Sequence, residues 1–146
     1  YFSIIPSNLY SEYDHFDDDT KAHFVTALLK KIKNSKNGIV PLFGTGLPLR
    51  QFIHAEDLAK IIAKCATRKE QTMTNFNVCC DETPMIMEIA EEGLKAAGKN
   101  LELQFDASKP DGQYRKDCDN SKMRELFPDF EFLSLEEGLR RVYKKL

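Results

Sequence analysis

Apolar positions recur at helical spacing in several stretches, separated by short unbroken apolar runs. Val25, Leu28, Leu29 and Ile32 share one face of a helix. Asp18, Asp19 and Thr20 are good residues to start it. Lys30, Lys31 and Lys33 sit toward its C-terminal end, where the helix dipole favours cations, and Asn37-Gly38 ends the segment. Leu58, Ile61, Ile62 and Cys65 mark a second helix from about Ala55 to Thr67. Ile86, Ile89, Ala90 and Leu94 mark a third, capped by Thr83 and stopped by Gly98. A short helix is expected from Asn120 to Phe127, ended by Pro128. Ser134 and Glu137 form a capping box for a last helix with Leu135, Leu139 and Val142 inward.

The unbroken runs read as strands: Phe2 to Ile5, buried and ending at Pro6, then Ile39 to Phe43, Gln51 to His54, Asn75 to Cys80 and Leu101 to Phe105. Ser7 to Asp19 is polar and acidic and reads as a loop. Short strands mixed with helices predict an α/β chain, a small mixed lobe. No GxGxxG follows a first strand, so no dinucleotide-binding fold is complete here. The sequence opens at Tyr1, without an initiator methionine and inside the apolar run FSIIP, as expected of the back half of a longer protein.

Composition narrows the function classes. With 146 residues the chain suffices for one domain, and 42% apolar against 30% charged suits a lobe that packs on a partner. A net charge of -2 with mixed signs argues against an electrostatic nucleic-acid binder. No apolar stretch approaches the ~20 residues of a membrane span. Cys65, Cys79, Cys80 and Cys118 show no CxxC and no zinc spacing, so they read as buried or half-buried thiols of a cytoplasmic protein, and no metal is expected.

Two segments carry candidate chemistry. LFGTGLPLRQFIHAED, Leu42 to Asp57, is a glycine-punctuated turn between a strand and a helix, and it holds one arginine, Arg50. FDASKPDGQYRK, Phe105 to Lys116, is a polar loop after another strand. Together they read as two walls of a pocket for an anionic, sugar-like ligand. A fork of guanidinium donors on a short turn suits a bidentate grip on phosphate or ribose hydroxyls.

These residues, with NLY (Asn8 to Tyr10), DHF (Asp14 to Phe16) and a helix carrying His23, resemble the C-terminal half of the GDP-L-fucose synthases, a family of the extended short-chain dehydrogenase/reductase group. The resemblance covers nearly the whole chain. It implies the substrate-binding lobe of such an enzyme, residues 1–146, with about 1–6 as an edge strand of a Rossmann domain. It implies NADP as cofactor, held mainly by an N-terminal half with a glycine-rich loop and a Ser/Tyr/Lys set, neither of which is in this sequence. The implied reaction exchanges protons beside a C4 ketone, inverting C3 and C5, and then reduces the ketone to give GDP-L-fucose. A GDP-sugar substrate, a homodimeric full-length enzyme and an inactive isolated segment follow from the same resemblance.

The resemblance also implies roles residue by residue. His23 matches the catalytic histidine, on the first turn of the helix from Thr20, with a cysteine partner outside this sequence. An imidazole suits proton exchange because its ordinary pKa lies near working pH. Pro6, Ser7, Asn8 and Leu9, with His23, match the segment at the nicotinamide end of the cofactor. Lys31 matches a basic position at the diphosphate, although the helical wheel sets Lys30 closer to the face of His23 and solvated lysines also suit a helix end. Arg50 matches a substrate-binding arginine. Phe43 fits either an aromatic wall at the nucleotide or the core. Asp111 and Lys116 match a loop that meets ribose, guanine or phosphate, while Pro110-Asp111-Gly112 is equally an ordinary turn. His54 and Asp57 read as structural. Three departures from the family pattern stand out. Ser11 and Glu12 replace Gly-Pro, one extra residue lies between Phe16 and His23, and a proline usual shortly after the histidine is lacking. A shift of register would make His15 the acid instead.

Overall fold

The computed structural model describes residues 1–14, 23–68 and 74–146. Expectations that fall on 15–22, including the helix start at Thr20, most of the DHF motif and the alternative acid His15, lie outside the described residues.

Among the described residues the strands pair in four parallel ribbons. Strand β1 (Phe2–Pro6) pairs with β6 (Thr74–Val78), and β2 (Asn8–Tyr10) with β5 (Phe52–His54). Strand β3 (Ile39–Phe43) pairs with β7 (Glu102–Asp106), and β4 (Leu49–Arg50) with β8 (Arg115–Lys116). Helices α1 (Phe24–Asn34), α3 (Ile86–Ala97) and α5 (Leu135–Lys145) pack on one another, α2 (Ala55–Ala66) packs near β5, and the short α4 (Ser121–Leu126) lies on β6.

The apolar spacing explains the packing. Val25, Leu28, Leu29 and Ile32 of α1 are all buried, in one core with Val40, Leu42, Ile89, Ala90, Leu139 and Val142. Each large apolar side chain so buried contributes about 1.5–3 kcal/mol. A second core gathers Ile53, Ile61, Phe76, Val78 and Met123 between α2, β6 and α4.

Several sequence expectations are corrected. The first strand is not buried: Ile5 is 53% exposed, and only one edge of β1 is paired among the described residues. Ile62 points outward although it fits the apolar spacing. Asn8 to Tyr10 is strand rather than loop, because its backbone pairs with β5 forty-odd residues away, which no local pattern reports. Helix α3 starts after Met85 rather than at Thr83. Its first amide groups are satisfied from afar: Ile86 N–H donates to Pro48 O at 2.9 Å and Met87 N–H to Gly46 O at 2.9 Å. The capping box at Ser134 is half formed. Its hydroxyl accepts from Glu137 N–H at 3.3 Å, while the Glu137 carboxylate turns to Arg140 and Arg141.

Tyr10 ties β2 to both α5 and α2. Its ring stands edge-on to His54 at 5.3 Å, and its hydroxyl lies against Gly138. A Cβ on Gly138 would fall 2.1 Å from that hydroxyl oxygen and 2.8 Å from the ring carbon bearing it. Burial, with Asp57 nearby, pushes the Tyr10 phenol well above its usual range and holds it neutral. Gly138→Ala forces the ring to shift and is expected to cost roughly 1–3 kcal/mol by overpacking. A fall in the thermal midpoint of the purified chain checks this, and an unchanged midpoint would show that Tyr10 has room to move.

Candidate functional site

The glycine turn and the FDASKPDG loop do meet. Asp111 reaches back across the chain, its two carboxylate oxygens accepting from Thr45 N–H at 2.6 Å and from the Thr45 hydroxyl at 2.7 Å. Gly44, at φ 80, makes the approach possible, since a Cβ there would stand 2.2 Å from Asp111 Oδ1. Arg50 ties the same two walls from β4. Its Nη2 donates to Gln113 O at 2.5 Å, and its Nη1 to Leu49 O at 2.7 Å and Tyr114 O at 3.5 Å. The α3 amides described above hold the turn from beneath.

A cleft of about 500 Å³ opens over this clamp. Its walls include Ser7, Asn8 and Leu9 at the start of β2, His23 at the head of α1, and Phe43, Arg50 and Asp111 from the two loops. Phe24, Phe52 and Ile86, none of them a site candidate from the sequence, complete the lining. Seven residues proposed from sequence, taken from four separate stretches, thus share one concave surface.

Each sits there for a local reason. His23 is the N-cap of α1 rather than part of its first turn. It is exposed, and its imidazole makes no capping bond. Asn8 Nδ2 donates to Gln51 O at 2.8 Å, which fixes β2 beside Arg50. Ser7 N–H donates to Val78 O at 2.9 Å, while its hydroxyl is buried and has no hydrogen-bond partner among the described residues. Such an orphan is costly unless something else meets it. Phe43 is 70% exposed, so it is a wall of the cleft and not core.

Lys31 and Lys116 stay outside the lining. Lys31 Nζ stands 5.3 Å over the Phe43 ring and donates to Pro41 O at 2.9 Å, one side chain away from the cleft. Lys116 is exposed on β8, in register with Arg50 on β4. Pro6 is exposed at the end of β1 and precedes the cleft residue Ser7. Cationic groups therefore rim the cleft on two sides, and Asp111 spends its charge on the turn.

The departures at Ser11 and Glu12 have structural partners. Glu12 Oε2 lies 2.9 Å from His54 Nε2, and His54 Nδ1 accepts from Glu56 N–H at 3.3 Å. That pattern assigns the proton to Nε2 and makes His54 a buried strut. Asp57 is likewise structural: its Oδ2 accepts from Leu133 N–H at 2.8 Å. Ser11 Oγ accepts from Tyr13 N–H at 3.1 Å. Among the described residues no cluster of His, Cys, Asp and Glu is arranged to hold a metal ion.

A family model described as NAD dependent epimerase/dehydratase matches residues 1–79, more than half of the sequence. The chain belongs to the NAD dependent epimerase/dehydratase family. Among its relatives, a probable GDP-L-fucose synthase of Drosophila melanogaster is 29% identical over 99% of this chain and 48% of its own length. The GDP-L-fucose synthase of Escherichia coli (strain K12) is 32% identical, again over 99% of this chain and 48% of its own length. A crystal structure of a GDP-L-fucose synthetase from Naegleria fowleri bound to NADP superposes with a TM-score of 0.87, at 29% identity, over 99% of this chain and 46% of that one. The chain thus spans about half the length of the relatives it matches, and the mixed α/β lobe expected from sequence is the fold that this epimerase/dehydratase family uses.

Proposed function

We propose that this chain is the nucleotide-sugar-binding lobe of an NADP-dependent GDP-4-keto-6-deoxymannose 3,5-epimerase/4-reductase, which makes GDP-L-fucose. The observation that carries the reading is the cleft, which gathers His23, Phe43, Arg50 and Asp111 beside Ser7 and Asn8. Likeness to GDP-L-fucose synthases along the whole chain supports it. The half-paired, exposed β1 suits an edge strand continued by a larger sheet, so residues 1–146 form the substrate lobe and about 1–6 its link to the dinucleotide half.

The residues present fit a nicotinamide cofactor. Ser7 lines the same cleft as Asn8 and His23, and its buried hydroxyl, without a hydrogen-bond partner among the described residues, carries a donor and an acceptor suited to a carboxamide. NADPH, when bound, supplies the hydride for the ketone. Arg50 and the rim lysines, Lys31 and Lys116, draw in the diphosphate. Phe43 offers a flat face to base or ribose. His23, exposed at the mouth of α1, donates or takes the proton at the sugar carbon beside the ketone. The protein works in the cytoplasm as a homodimer, and it uses neither nucleic acid nor a membrane. No helix among the described residues is long and apolar enough to cross a bilayer.

The test is a pair of assays with GDP-4-keto-6-deoxymannose and NADPH. A protein joining this lobe to its dinucleotide half is expected to consume NADPH and release GDP-L-fucose. The isolated 146-residue chain is expected to consume none, since it holds no glycine-rich loop and no Tyr/Lys pair. NADPH oxidation by the lobe alone contradicts the division of labour. A joined protein that leaves the ketone unreduced, with no net NADPH use, contradicts the reaction.

A further inference from the structure

Three of the four thiols lie close together around Gln51, the neighbour of the cleft residue Arg50. Cys79 and Cys80 follow β6, and Cys118 follows β8 by two residues. Gln51, next to Arg50, laces the two segments together. Its Nε2 donates to Cys80 O at 2.9 Å, and its Oε1 accepts from Cys118 N–H at 2.9 Å and from the Cys118 thiol at 3.5 Å. Asn120 adds bonds to Cys79 O at 3.0 Å and to Asp81 at 2.8 Å. Within this lacing the Cys79 thiol donates to the carbonyl oxygen of Cys118 at 3.0 Å. Standard bond lengths then put the Cα of Cys118 within about 6 Å of the Cys79 sulfur.

We propose that Cys79 and Cys118 form an oxidisable pair, a modification site that closes to a disulfide when the protein meets a low-molecular-weight disulfide such as glutathione disulfide. Cys80 is not the partner. Its thiol turns to Phe52 O at 3.6 Å and Glu82 O at 3.1 Å, away from Cys118.

The order of events follows from access. Cys79 is wholly buried and Cys118 is half-buried, so the reagent meets Cys118 first. The Cys118 thiolate attacks one sulfur of the small disulfide, forms a mixed disulfide and releases one small thiolate. The Cys79 thiolate then attacks the Cys118 sulfur, and the second small thiolate leaves. The two protons of the protein thiols end on the two released thiols, and the two electrons lost by the protein reduce the reagent. Burial, then the neighbouring Cys118, pushes the Cys79 thiol up, so the first attack on the reagent falls to Cys118. The closed bond fixes the base of the loop that carries Lys116 against the end of β6. The pair stands on its own geometry and does not depend on which nucleotide sugar the cleft takes.

Peptide mapping tests the pair. The purified protein is incubated with glutathione disulfide, alkylated, digested with trypsin without reduction, and analysed by mass. The expected product links the peptide 70–95 to the peptide 117–122, lighter by two hydrogens than the sum of the free peptides and separated by dithiothreitol. The link persists in Cys80→Ser and is lost in Cys79→Ser. Three results overturn the pair: a link that Cys80→Ser abolishes, a glutathione adduct left on Cys118 with Cys79 still alkylated, or no loss of free thiol. The unmodified protein and Cys80→Ser decide the matter even if Cys79→Ser fails to fold.

Discussion

On the proposed reaction, His23→Gln in the full-length protein is expected to slow the incorporation of solvent deuterium at C3 and C5 of the sugar by roughly 10²–10⁴, the usual effect of removing a positioned acid or base. The expectation rests on where the fold leaves this imidazole. His23, itself extended at the N-cap of α1, is exposed on the wall of the cleft and makes no capping bond that would turn it back to its own helix. Reduction of a ketone that has already been epimerised needs no carbon proton exchange, so its rate should change far less. That split separates a proton carrier from a residue that merely shapes the cleft, since a shaping residue would depress both steps. Glutamine keeps a polar side chain of similar reach but cannot exchange a proton at neutral pH. If His23→Gln exchanges deuterium at the unmodified rate while His15→Gln does not, the acid belongs to the segment before α1, and His23 is only part of the wall.

The element types were legible from sequence because they rest on local pattern. The spacing of Val25, Leu28, Leu29 and Ile32 gave α1 its buried face, and the run Ile39 to Phe43 appears as a strand with the expected limits. What stayed hidden was set at long range. Strand β2 exists because of β5, and the start of α3 is fixed by the carbonyls of Gly46 and Pro48. Thr83 does not carry that signal; the local one is Glu88, whose carboxylate accepts from Met85 N–H at 2.7 Å. The candidate site divides in the same way. Residue type on a short turn pointed to Arg50, and the family resemblance pointed to Ser7, Asn8, Leu9, His23 and Asp111. The closure of Asp111 onto Thr45 was not readable, because a Pro-Asp-Gly turn looks the same whether its carboxylate faces a ligand or the chain. Phe43, which suited core or cleft equally, is placed in the cleft by its exposure alone.

On the proposed reading, Arg50→Ala is expected to weaken binding of a GDP-sugar to the full-length protein by about 1.5–3 kcal/mol, roughly 10- to 150-fold in Kd, as for a lost charge-assisted hydrogen bond. The guanidinium already spends donors on the carbonyls of Leu49, Gln113 and Tyr114. It has five N–H groups, so donors remain for an anion in the cleft it lines. The protein bonds hold the planar fork in place before ligand arrives, which lowers the entropy cost of gripping a diphosphate. They also predict a second effect. Without Arg50 the segment around Gln113 and Tyr114 loses its tie to β4, so its amides should exchange with solvent faster. Overall stability should fall little, because both residues are exposed and water replaces the lost donors. Arg50→Lys separates the two roles. It keeps a positive charge but not the fork, so it should recover part of the affinity while the loop stays loosened. Calorimetric titration with GDP-sugar measures the first effect and hydrogen exchange the second. Unchanged affinity in Arg50→Ala, with faster exchange in the loop, would make Arg50 a strut of the cleft and leave the diphosphate to Lys31 and Lys116.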